Sequence, residues 1–172
     1  MELLDVMKQR RSVRSYKDEP LNEADLDKIL EAALLAPTSM NRKPCTFYAV
    51  TDKETLKKIS QVKKAGGTFI KDTPAAVVVF GDEAKADTWM EDTSIALSFM
   101  MLEAESLGIS SCFVQIAMRK GENERDAEEN LRAVFHVPSS YRVSGILALG
   151  YAAKKADPYK SEDLDFSRIV KI

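Results

Sequence analysis

Leu26, Ile29, Leu30, Ala33 and Leu34 recur at i, i+3, i+4, i+7 and i+8, the spacing of one helix face. Asn22 stands before this run as an N-cap, and Pro37 closes it, because the residue before a proline avoids helical geometry. A shorter amphipathic helix is expected over residues 2–10, with Leu3, Leu4 and Met7 on one side. Asp52 caps a third, carrying Leu56 and Ile59. From about Thr88 to Leu107 the apolar residues, Ile95, Leu97, Phe99, Met100, Met101, Leu102 and Leu107, surround most of a helix. Such a helix lies at the centre of a core or at a subunit interface. Gly108 ends it at the C′ position. A fifth helix is expected over 122–135, with Ala127, Leu131, Val134 and Phe135 inward.

Strand patterns lie between these helices. "TFYAV" (46–50) alternates aromatic and β-branched side chains, whereas "AAVVVFG" (75–81) and "VSGILALGYA" are apolar throughout, as in strands covered on both faces. "ISSCFV" reads as a short strand or extended loop, and the last seven residues have β character without a core of their own. The expected class is α+β, a central mixed, mostly antiparallel sheet flanked by helices. No repeat or flexible linker interrupts it, so residues 1–172 are read as a single domain.

Composition narrows the chemistry. With 45% apolar and 30% charged residues the chain is an ordinary globular one, and its net charge of −2 gives no global attraction to nucleic acid or anionic lipid. No apolar run is long enough to span a bilayer, and the N-terminal charges follow the apolar residues, the reverse of a secretory signal. The cytoplasm is the expected compartment. His136 is the only histidine, which removes most histidine metal sites and the Ser–His and Cys–His nucleophile pairs. Difficult chemistry, if any, would be carried by something bound. Cys45 and Cys112 do not make a disulfide scaffold, and their spacing leaves their pairing open.

Three segments could carry that chemistry. "KQRRSVRSY" (8–16) concentrates Arg10, Arg11, Ser12 and Arg14 where a helix gives way to extended chain, and alternation would put Ser12 and Arg14 on one side. Guanidinium forks and a hydroxyl suit a phosphate, and a solvated basic face fits the same residues. "APTSMNRKPCTF" (36–47) sets hydroxyl, amide and ammonium groups in a loop stiffened by prolines, suited either to a polar heteroaromatic edge or to simple connection. "GISSCFVQIAM" (108–118) offers small residues whose backbone could approach a flat ligand. The methionines read as filler, the acidic pairs Asp82/Glu83 and Glu91/Asp92 as helix-start residues, and Trp89 as packing or a stacking surface.

In their order and spacing, "RRSVRSY", "APTSMNRKPCTFYAV", "AESLGISSCFV" and "ALGYAAKK" resemble the FMN-dependent nitroreductase family, over nearly the whole chain and in its shorter form. The resemblance implies a homodimer binding FMN in two pockets at the subunit interface. Arg10 and Arg14 would hold the phosphate, with Arg11 and Ser12 at the ribityl chain or ring edge. Pro37, Thr38, Ser39, Met40 and Asn41 would come from the other subunit. Val114 and Gln115 would approach the reactive ring nitrogen through their backbone, and Lys155 or Lys160 would complete the phosphate site. A final strand around Phe166 to Ile172 would swap onto the partner's sheet. NAD(P)H would supply electrons and a flat acceptor, a nitroaromatic or quinone, would take them in the same slot by a ping-pong mechanism. A non-catalytic FMN store and a specialised flavin enzyme of the same fold are the alternatives. The chain departs from the family at "NRKPC", where N-x-Q-P-W is common: Lys43 replaces glutamine and Cys45 tryptophan. Phe113 stands in another tryptophan's place and Gln115 in a glycine's. A cationic Lys43 near the ring would favour its reduced, anionic form.

Overall fold

The computed structural model of the chain describes residues 2–172. At its centre β1 (Cys45–Val50), β2 (Ala75–Asp82), β3 (Ser110–Gln115) and β4 (Tyr141–Gly150) form a sheet in the order β1-β2-β4-β3. All three pairings are antiparallel, so the expected mixed sheet reduces to one isolated parallel bridge, Ser12 to Ser111, beyond β3. Every residue of β2 is buried, as its unbroken apolar run requires. Alternate side chains serve two cores. Ala75, Val77 and Val79 meet α2 (Glu23–Leu35) and α4 (Trp89–Ser106) on one face. Ala76, Val78 and Phe80 meet α3 (Lys53–Ser60) and α5 (Ala127–Phe135) on the other.

The local start signals act as the sequence suggests. The Asn22 side chain accepts from the Ala24 amide at 2.9 Å, and Asp52 accepts from the Thr55 amide at 2.8 Å. Gly108 takes the left-handed φ of +76° just past the end of α4. α1 (Leu3–Gln9) packs on α4, but through Val6; Leu3, Leu4 and Met7 face outward. Among the described residues Met100 is the one methionine buried completely, whereas Met40 and Met118 are largely exposed rather than filler.

Two expected elements differ. The fifth helix begins at Ala127, not at 122, because Lys64 pairs with Glu124 and Lys120 with Asp126, holding 121–126 as a polar turn. Residues 166–172 form no strand: Phe166–Arg168 is a single 3₁₀ turn, and Ile169, Val170 and Ile172 lie exposed. A strand needs a neighbouring edge, and the chain by itself offers this segment none.

Near the start of β4 a bulge inserts Ser144, and its carbonyl accepts from the amides of Ile116 at 3.0 Å and Ala117 at 3.3 Å. The Phe113 ring lies over Gly145, where an added Cβ would meet it at 2.2 Å and the Val114 carbonyl oxygen at 2.9 Å. Gly145→Ala is therefore expected to displace Phe113 and the end of β3, costing about 1–3 kcal/mol in thermal or denaturant unfolding.

Candidate functional site

The strand order places the two polar segments on opposite edges. β1, which follows the loop 37–43, is one edge; β3 is the other. Residues 11–16 run outside β3, with the Val13 amide donating to the Ser111 carbonyl at 3.0 Å. Val13 is buried while Ser12 and Arg14 are exposed together, as alternation predicted. Arg10 and Arg14 both lie near the Cys112 thiol: burial pushes its pKa up, and the two guanidiniums pull it partly back. Among the described residues neither arginine has an acidic partner. They form a doublet of positive charge free to meet an anion.

Arg11 is engaged differently. Its guanidinium donates to the Asp157 carbonyl and sits 4.3 Å from the centre of the Tyr159 ring. The tail runs antiparallel to the basic segment, held by Lys17 N–H to Tyr151 O at 2.8 Å and Ala153 N–H to Ser15 O at 2.9 Å. That course brings Lys155 alongside, where it pairs with the buried carboxylate of Glu105. Lys160 lies further on, exposed and 3.7 Å from Glu162.

On the opposite edge the loop is held in an unusual backbone. Met40, Asn41 and Lys43 all have positive φ, at 50°, 55° and 50°, in the left-handed region that costs a non-glycine residue about 1–2 kcal/mol. Such strain persists only where surrounding bonds impose it. Here they are the Ser39 amide donating to Asp92 at 3.0 Å and the Lys43 amide donating to Thr38 Oγ1 at 3.1 Å. Asp92 is buried and also accepts from the Thr88 hydroxyl at 3.2 Å. Pro37, Thr38, Asn41, Lys43 and Cys45 line a hollow of about 340 Å³ against Phe47. The Cys45 thiol there is pushed up to about 11, by burial first and then by Asp92. Both cysteines are free, and their strands lie on opposite edges.

Val114 is buried in β3 and Gln115 ends the strand, half-buried. Lys63 donates to the Gln115 carbonyl at 2.9 Å, and Arg119 to its side-chain oxygen at 2.6 Å. Trp89 is no stacking surface: it is buried under Arg142, whose guanidinium lies 5.0 Å from its ring centre. Among the described residues no group of three metal-ligating side chains occurs, and no helix is long and apolar enough to cross a membrane.

The model of the Nitroreductase family matches residues 7–73 and 61–151, which include the arginine segment, the strained loop and β3. The chain belongs to the nitroreductase family. An FMN-dependent nitroreductase from Clostridium difficile R20291 superposes with a TM-score of 0.95 and is 40% identical, over 98% of each chain. A protein of Archaeoglobus fulgidus, provisionally named an NADH dehydrogenase/NAD(P)H nitroreductase, is 33% identical over 94% of this chain and 92% of its own. An FMN reductase [NAD(P)H] from Bacillus subtilis is 32% identical, over 90% of this chain and 68% of that one. The α+β fold is thus the nitroreductase-like fold.

Four site residues escape a reading of the sequence: Asp92, Glu105, Lys63 and Arg119. Asp92 and Glu105 sit in a helix whose apolar pattern says only which face is inward. Their partners lie 53 and 50 residues away. The sequence offers no signal that sets Asp92 and Glu105 apart from Glu91 and Glu103 in the same helix. Replacing Asp92 by alanine leaves the Ser39 amide without its acceptor. The variant should lose about 1–3 kcal/mol of stability and be cleaved faster within 37–43 under limited proteolysis.

Proposed function

We propose that residues 1–172 form one FMN-binding domain of a homodimeric oxidoreductase. It passes electrons from NAD(P)H to nitroaromatic, quinone or similar flat acceptors by a ping-pong mechanism. The observation that carries this reading is the doublet Arg10 and Arg14: two guanidiniums on one edge, with no acid to neutralise them, suited to a terminal phosphate. The chemistry supplied by bound FMN is two-electron transfer between a nicotinamide and an acceptor.

The residues fit that cofactor when they come from two chains. Within one chain the loop 37–43 and the arginine segment are separated by the width of the sheet, four strand spacings or roughly 19 Å. A second copy brings its loop to the first copy's arginines. The apolar surface left open in one chain supports the same assembly: Ile95 and Phe99 on α4, Leu34 and Leu35 on α2, and Leu164, Phe166, Ile169 and Val170 in the tail are all exposed. The tail pairs with the partner's sheet edge, and the two protomers cover these side chains.

Each residue then has a task. Arg10 and Arg14 hold the phosphate, and Ser12 lies on the same exposed side for the ribityl chain. Arg11, through Asp157 and Tyr159, and Lys155, through Glu105, keep the tail beside the arginines; Lys160 follows Tyr159, whose amide donates to the Lys8 carbonyl, so either lysine can complete the phosphate site. Pro37, Thr38, Ser39, Met40 and Asn41 shape the ring pocket of the partner, with Lys43 adding positive charge at the ring's polar end. Val114 and Gln115 present backbone to the ring.

FMN titration of Arg10→Gln and Arg14→Gln variants tests this directly. Each should bind FMN at least about tenfold more weakly yet take up riboflavin, which lacks the phosphate, nearly as well as the parent. Equal weakening of both ligands would contradict the assignment. Purified protein should be yellow, bleach anaerobically with NADH or NADPH, and give parallel double-reciprocal lines. Colour without bleaching would favour a storage module, and intersecting lines would rule out a shared slot.

A further inference from the structure

Gln115 gathers two positive charges at the end of β3. Its side-chain amide is fixed in orientation, since Nε2 donates to the Ala117 carbonyl at 3.1 Å while Oε1 accepts from Arg119. Met118, at φ 59°, turns the chain back so that Arg119 returns over Gln115. The segment carrying Lys63 is tied to the same turn by the Lys64 amide, which donates to the Lys120 carbonyl at 3.0 Å. Lys63, Lys64, Ala65, Gln115, Arg119 and Lys120 line one cavity of about 430 Å³.

Two of its four cations are matched. Lys64 pairs with Glu124, and Lys120 with Asp126 at 2.6 Å. Lys63 and Arg119 meet no carboxylate among the described residues. Burial, and then the charge of Arg119, lower the pKa of the Lys63 ammonium. Neighbouring like charges are unfavourable, and an anion between them removes the repulsion and supplies the missing partner.

We propose that Lys63 and Arg119 receive the anionic group, a carboxylate or a phosphate, of the substrate that stacks on the ring beside Gln115. The proposal rests on the flavin reading of Val114 and Gln115. Its preferred substrates are flat molecules carrying negative charge. The group belongs either to the acceptor or to the nicotinamide nucleotide, and the two half-reactions separate these sources.

The test uses FMN-loaded dimer and the variants Lys63→Gln, Arg119→Gln and Arg119→Lys. In the oxidative half, kcat/KM is measured for 4-nitrobenzoate against neutral 4-nitrobenzamide; in the reductive half, for NADPH against NADH. Binding of unreactive benzoate and benzamide is followed by calorimetry. With an acceptor carboxylate, both glutamine variants lose about tenfold for 4-nitrobenzoate and benzoate but not for the amides, and Arg119→Lys retains most of the preference. With a nucleotide phosphate, the loss falls on the reductive half instead. Equal losses for charged and neutral ligands, no loss at all, or a loss of FMN itself from the variants would each overturn the proposal. Parent protein that takes up no FMN would instead defeat the underlying flavin reading.

Discussion

The order of strands is the constraint on which the rest depends. Antiparallel pairing of β1 with β2, β2 with β4 and β4 with β3 uses both edges of the two central strands. The polar segments attached to β1 and β3 must then face away from each other. One segment carries the charge, Arg10 and Arg14, and the other the strained, hollowed loop. The same topology that forms a stable core from Val77, Val79, Leu147 and Leu149 thus sets the two segments apart within one chain, and the proposed function joins them through a second copy. In this account dimerisation is part of ligand recognition, not an addition to it.

Each half is fixed by buried polar groups rather than by local propensity. Asp92 imposes three left-handed residues on the loop, and Glu105 holds Lys155 and with it the tail. At the end of β3, the Ser144 bulge and Gln115 set the backbone of 114–117. The loop contacts hold Met40, Asn41 and Lys43 in the left-handed region, and the central strands support them. Preorganisation of this kind lets the bound group do its chemistry without the protein rearranging around it.

Much of this was legible in the sequence, and the reasons divide cleanly. Helix starts at Asn22 and Asp52 and the stop at Gly108 are local, so residue type alone reports them. The arginine doublet was legible as charge, but not the diversion of Arg11 to the tail, since Asp157 lies 146 residues away. Residues 122–126 look like a helix start, yet the ion pairs of Glu124 with Lys64 and of Asp126 with Lys120 hold them as a turn. The C-terminal segment has strand composition without a strand, because within the chain it pairs with no sheet edge. The strained loop could not be foreseen from Met40 or Lys43, neither of which prefers positive φ.

A hybrid dimer tests the shared site most directly. One chain carries Arg10→Gln and Arg14→Gln, its partner carries Ser39→Trp, and either change alone abolishes FMN uptake in the corresponding homodimer. If arginines and loop come from different chains, the purified hybrid contains one intact and one doubly altered site, and should bind half an equivalent of FMN per chain. If each site belonged to a single chain, every site in the hybrid would carry a lesion. Absence of FMN from the hybrid would therefore contradict the account.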